Sequence, residues 1–229
     1  MDDIDIMITA LEPGTHTLVI AEGGNDVLLF RRLADDLGLP NVQVGAVKGQ
    51  TEFARKLPTI ITFPGFEDAI KSIGVVRDAN SDPKRAFDQV CSALREAHLP
   101  IPTAPDIPAV GPPKVTVHLL PGRKRSGVLE TLCLEAVRDN PHYACVEAYF
   151  ECLQTEGIAI PAHKLAKAKA HAYLASCRDP VAGVGVGFKH SKDYWNLSSP
   201  VWDPARQFLC LIVEPHPLSP EAPAPAGIA

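Results

Sequence analysis

Apolar positions along the chain fall into two alternating patterns. Thr17-Leu18-Val19-Ile20-Ala21, the stretch from Asn41 to Ala46, Ile73-Gly74-Val75-Val76-Arg77 and the stretch from Val115 to Leu120 are short, nearly unbroken apolar runs. Such runs suit strands buried on both faces. Between them the period changes. Val27, Phe30, Leu33, Ala34 and Leu37 recur at helical spacing, with Asn25 and Asp26 placed to cap and Gly38 placed to stop the helix. Helices are likewise predicted over residues 52–61, 64–70, 128–138, 142–155, 162–176 and 206–213. Another is predicted over 83–97, with Pro83 tolerated in its first turn and Phe87, Val90, Cys91 and Leu94 facing inward. Residues 100–113 hold six prolines and read as an extended connection or a hairpin. Strands alternating with helices predict an α/β fold with a mostly parallel central sheet flanked by helices. The domain reading is a core over 1–140, a C-terminal helical extension packed on it over 141–214, and a Pro/Ala-rich disordered tail over 215–229.

Composition narrows the function classes. Apolar residues make up 46% of the chain, enough for a full core, whereas aromatics at 6% argue against a stacking platform for single strands. No apolar run approaches the ~18 residues of a membrane span, and the start Met1-Asp2-Asp3 is no signal peptide, so the expectation is a soluble cytoplasmic protein without a membrane partner. Residues 1–82 carry thirteen acids and seven bases, the remainder fourteen and fifteen. That asymmetry excludes a simple basic nucleic-acid clamp. The six cysteines form no C-x-x-C pair and read as buried free thiols, with Cys133 and Cys210 in apolar helical surroundings. Gly183-Val184-Gly185-Val186-Gly187 lacks the spacing of a dinucleotide loop, and no Walker lysine motif or H-E-x-x-H is present. Trp195 and Trp202 read as core packing or a lid.

The acids carry the chemistry. Ligands in open parallel sheets bind beyond the carboxyl ends of the strands. Glu22 follows the first predicted strand, Asp78 the third, and Glu130 lies early in the helix after the fourth, with Asp26, Asn80 and Asp82 as further oxygen donors. Carboxylates gathered at one rim repel unless a cation intervenes, and hard oxygen ligands suit Mg²⁺ or Mn²⁺. Taken singly, each has a plainer reading: Glu22 as a turn acid, Asp26, Asp78 and Asp82 as helix caps, Glu130 as a complement to a helix dipole. Arg123, Lys124 and Arg125 form either a solvated loop or a phosphate-positioning one. Lys164, Lys167 and His171 share a helix face that is either solvated or a phosphate track.

Glu22-Gly23-Gly24-Asn25-Asp26 after a strand, followed later by Asp78-Ala79-Asn80, resembles the E-G-x-x-D and D-x-D pattern of TOPRIM domains. Gly127-Val128-Leu129-Glu130 resembles the added acidic motif of the overcoming-lysogenization-defect (OLD) nuclease branch. The segment Lys167-Ala168-Lys169-Ala170-His171-Ala172-Tyr173-Leu174-Ala175 resembles a helix of small prokaryotic TOPRIM-like proteins. This resemblance, over about residues 15–210, implies a Rossmann-like TOPRIM fold that binds Mg²⁺ through its acids. Glu22 would be metal ligand or general acid/base, Asp26, Asp78 and Glu130 would match the family's acids, and Asn80 would depart from the second acid of D-x-D. The implied activity is Mg²⁺-dependent cleavage of DNA or RNA, with Glu22, Asp78 and Glu130 catalytic and Arg123, Lys124, Arg125 and Lys167 meeting phosphate. A non-catalytic module is the alternative, with nucleic acid the expected partner and a further protein supplying contacts.

Overall fold

The computed structural model describes residues 7–47, 50–189 and 193–213. The acidic start and the expected tail from residue 215 lie outside the described residues.

Four strands, β1 (Thr17–Ala21), β2 (Val42–Ala46), β3 (Ser72–Asp78) and β4 (Lys114–Leu120), form one sheet in the order β2-β1-β3-β4, all parallel. Helix α1 (Gly24–Asp36) joins β1 to β2. α2 (Gln50–Ile60) and α3 (Phe66–Ala69) lead from β2 to β3, and α4 (Pro83–Glu96) leads from β3 to β4. The chain then runs through α5 (Leu129–Ala136), α6 (Pro141–Thr155), α7 (Ala162–Ser176), α8 (Val186–Lys189) and α9 (Asp203–Ile212). This is a Rossmann-like α/β arrangement with a C-terminal helical part. No helix among the described residues is long and apolar enough to cross a membrane.

Strand alternation divides the core between the two faces of the sheet. Val19, Ala21, Val76 and Leu120 pack with α1, α5, α6, α7 and α9, while Leu18, Ile20, Ile73, Val75, Val117 and Leu119 pack with α2 and α4. The helical extension therefore shares one continuous core with the sheet. Trp195 and Trp202 are fully buried in it, so they are core rather than lid. Tyr173 stacks on Trp195 and Phe188 meets Trp202 edge-on.

Several elements depart from expectation by a turn or less. The last helix starts at Asp203 rather than 206, because Pro204 fits its first turn. Residues 100–113 turn back along β4, with Asp106 N donating to Val117 O and Ala109 bridging Val115, so the proline-rich segment covers the sheet edge as an irregular hairpin. Phe87 is only partly buried, and Ala86 and Ala93 take inward positions on α4 instead. Cys91 and Cys133 are buried, but Cys145, Cys152 and Cys210 are exposed, which corrects the expectation for Cys210: on α9 it falls opposite the Phe208, Leu209 and Ile212 stripe.

Two glycines are fixed by close approach. A Cβ on Gly74, in the middle of β3, would lie 2.7 Å from the Phe208 ring and 2.8 Å from Ile212 Cδ1, so α9 lies on the sheet only because that position is bare. A Cβ on Gly187 would lie 2.5 Å from Trp195 Nε1, which gives the Gly-rich segment a packing role. Gly74→Ala is expected to lower stability by roughly 1–3 kcal/mol, the ordinary cost of overpacking a filled core. Thermal unfolding of the variant beside the parent checks it.

Candidate functional site

The sheet has its switch point between β1 and β3, where the connections diverge: α1 leaves toward β2 on one face, and the chain returns to β3 over the other. Ligand crevices in such sheets open at the strand carboxyl ends beside the switch point. β1 ends there in Ala21-Glu22, and β3 ends in Arg77-Asp78.

Register sorts these residues onto opposite faces. Ala21 pairs with Val76, so Glu22 comes level with Arg77, on the α2/α4 side. Arg77 is buried; its Nε lies 2.9 Å from Glu22 Oε2, a charge contact without hydrogen-bond alignment, and its Nη2 donates to Gln89 Oε1 at 3.0 Å. Asp78, one position on, faces the α1/α5 side. There its Oδ1 accepts from Leu129 N at 3.0 Å, at the start of the helix that carries Glu130. Asp26, in the first turn of α1, accepts at Oδ2 from Gly23 N at 2.9 Å, so its carboxylate closes the turn after β1.

Asp26 and Glu130 are both buried, at 6% and 7% exposure, and Asp78 is partly buried. The carboxylates act on one another. Burial first, then the charges of Glu22 and Glu130, push the Asp26 carboxyl up to about 7, against the lowering hydrogen bond from Gly23. Burial, then Asp26, Glu22 and Glu130, hold Asp78 well above the usual carboxylate range. Cys133, one turn along α5 from Glu130, is driven far up by burial and by the same acids, so its thiol stays protonated beside the cluster.

Asn80 and Gly127 hold the two acid-bearing loops together. Asn80 N donates to Gly127 O at 2.7 Å and Gly127 N to Asn80 O at 2.6 Å. Asn80 has φ +52, a left-handed conformation that asparagine tolerates, and its Nδ2 donates back to Asp78 O at 3.3 Å. Gly127 has φ +140, and a Cβ there would lie 2.8 Å from Thr131 Oγ1. Asn80 therefore serves the turn through its backbone and Nδ2. Asp82 is exposed, and its Oδ1 accepts from Arg85 N at 2.9 Å as the N-cap of α4. Asp82→Ala is expected to cost about 1 kcal/mol of stability, as cap losses do, and to leave Mg²⁺ affinity unchanged. Parallel chemical denaturation and metal titration check both halves.

Among the basic residues, Arg123 Nε binds Asp106 Oδ2 at 3.0 Å, and Arg125 pairs with Glu135. Both are engaged with protein carboxylates. Lys124 is exposed, and Lys167 lies exposed on α7 with Lys164 and His171, a solvated face.

The donor set around Asp26, Asp78 and Glu130 is all carboxylate oxygen, which fits Mg²⁺ or Mn²⁺. Among the described residues, no three His, Cys, Asp or Glu side chains form a ready-made metal-holding group. Mg²⁺ does not require one, since it keeps several waters and is commonly held by one or two carboxylates together with substrate phosphate. One oxygen each of Asp26 and Asp78 is fixed by a main-chain N–H, which orients the other.

Sequence reasoning missed Arg77, although the signal was available: it continues the inward series Ile73, Val75, and a buried arginine demands an acid at the same level. Compared with known proteins, residues 16–214 match the family described as a protein of unknown function (DUF3226). No curated protein and no solved structure matches the chain.

Proposed function

Starting from a chain that belongs to the DUF3226 family, we propose a metal-dependent phosphodiester-processing protein, a TOPRIM-type nuclease acting on DNA or RNA. The observation that carries the reading is the frustrated carboxylate group at the β1/β3 switch point: burial and the neighbouring charges of Glu22 and Glu130 raise the proton affinity of Asp26 and Asp78, and a divalent cation relieves that repulsion. E-G-x-x-D between β1 and α1, with Asp78 at the end of β3, supports the TOPRIM relationship.

Asp26 and Asp78 would hold Mg²⁺, with Glu130 beside them; the ion supplies Lewis-acid polarisation of a phosphoryl oxygen. Gly23 N and Leu129 N orient the two aspartates. Glu22 takes a smaller part than its motif suggests. With its Oε2 2.9 Å from Arg77 Nε, it acts as a fixed charge bordering the site. Asn80 contributes no charge and sets the loop.

The Glu22–Arg77 contact also favours a second reading, a module that binds nucleic acid or nucleotide without cutting, since an arginine already neutralises the family's glutamate. Titrating Mg²⁺ against single-stranded, duplex and structured DNA and RNA separates the two. Metal-dependent cleavage supports the nuclease; metal-dependent binding without cleavage supports the module; absence of both removes both readings.

A further inference from the structure

A second polar constellation lies on β4, away from the acid cluster. His118 is buried, at 2% exposure, with its ring stacked on Phe208 at 4.9 Å and edge-on to Phe30 at 6.1 Å. Its Nδ1 lies 2.7 Å from Asp106 Oδ1. Burial works to raise the Asp106 carboxyl, but hydrogen bonds and charge from His118 and Arg123 outweigh it and hold the group below its ordinary value. Asp106 is therefore a carboxylate that only accepts, and Nδ1 is the donor. Nε2 is left without a protein partner among the described residues, on a ring that lines a cavity of about 540 Å³. Asp106, Arg123, Arg125, Gln207 and Phe208 are among the other residues of its wall. The size is that of a small-molecule site.

The charges in this wall are arranged to meet an anion. Asp106 is already covered by His118 and Arg123, and the acid paired with Arg125, Glu135, is not part of the lining. Both arginines remain about half exposed, at 50% and 51%, which leaves guanidinium N–H groups to turn toward a ligand. A planar guanidinium matches phosphate oxygens two at a time.

We propose that this cavity binds a phosphomonoester group, the terminal phosphate of a nucleic-acid strand, through Arg123 and Arg125 and through His118 Nε2, which donates to a phosphate oxygen when the ring is in its doubly protonated, imidazolium form. The cavity and its donors stand by themselves; the assignment to a strand terminus rests on the nuclease reading. The loop carrying Arg123 and Arg125 leads from β4 into α5, the helix that carries Glu130.

The test uses the full chain in EDTA, which keeps it separate from any cleavage. Inorganic phosphate is titrated calorimetrically, and binding of a short single strand is compared with and without a terminal phosphate. Saturable phosphate binding is expected, with a preference for the phosphorylated strand, and Arg125→Gln should weaken both by about tenfold. His118→Gln should do the same where its near-ultraviolet circular dichroism shows a native core, and Arg123→Gln gives the corresponding result without touching the buried ring. Absence of saturable phosphate binding by the parent chain, or binding that Arg123→Gln and Arg125→Gln leave unchanged, overturns the cavity assignment. Phosphate binding without preference for the phosphorylated strand overturns the strand-end assignment. Loss of Mg²⁺-dependent cleavage with phosphate binding intact counts only against the nuclease.

Discussion

Asp78→Asn should reduce Mg²⁺-dependent cleavage by at least ~100-fold, the scale on which a metal site fails when its ligand environment is broken. The substitution is close to isosteric. The amide oxygen can still accept from Leu129 N, so the junction between β3 and α5 that brings Glu130 into place is retained. What disappears is one negative charge from a group in which Asp26, Asp78, Glu22 and Glu130 oppose one another. The metal-free protein should accordingly be no less stable at pH 8, and calorimetry at that pH provides the folding control for the kinetic assay. Cleavage that survives in Asp78→Asn would place the chemistry elsewhere. Glu22→Gln is a poorer probe, despite the motif. It leaves Arg77 buried without its counter-charge, a defect of about 3–5 kcal/mol, so lost activity there would not distinguish chemistry from folding.

The contrast between Asp78 and Glu22 shows what the amino-acid pattern could and could not reveal. The strands were legible because buried parallel strands are continuous apolar runs: β1 was expected over its observed residues, and β3 and β4 differ by one or two at their ends. The cap of α4 was equally legible, since Asp82-Pro83 is a local signal read by local geometry. The rim of the sheet was legible as a place, because acids follow β1 and β3 and precede the body of α5. The side of the sheet on which each acid falls was not. It depends on the register between β1 and β3, which are separated in the chain by β2 and three helices, and a shift of one residue would bring Glu22 level with Asp78 on the same face. The Arg77 pairing, the shared burial of Asp26 and Glu130, and the contact of His118 with Asp106 all follow from such long-range placement. Asn80 also has a local explanation that the motif does not reveal. Its place in a motif suggested a ligand, whereas a left-handed turn bonded to Gly127 accounts for asparagine there by conformation alone.

The same electrostatics make stability depend on pH and on metal together. Asp26 titrates near its ordinary 3.8 in the unfolded chain and at about 7 in the folded one, so between those values the folded state binds more protons. The stability it contributes is thus complete below about pH 4 and is lost as pH rises through 7. Asp78 shifts in the same direction and adds to the loss. Asp106 and Glu52, both lowered, have the opposite sign, but their contributions fall away only below their ordinary range and do not touch this window. Metal-free protein should therefore lose on the order of 2–4 kcal/mol between pH 5 and pH 8. That corresponds to roughly 5–10 °C in melting temperature for a chain of this size. Mg²⁺ reverses the sign of the local argument, because a bound cation favours the ionised carboxylates. Its addition should raise the melting temperature at pH 8 and change it little at pH 5, where protons already neutralise the cluster. Asp26→Asn should flatten the pH dependence and shrink the Mg²⁺ response together. Scanning calorimetry of parent and variant at both pH values, with and without Mg²⁺, checks this. A melting temperature indifferent to pH and to metal would mean that these carboxylates are not opposed, and the cation would lose its physical reason to bind.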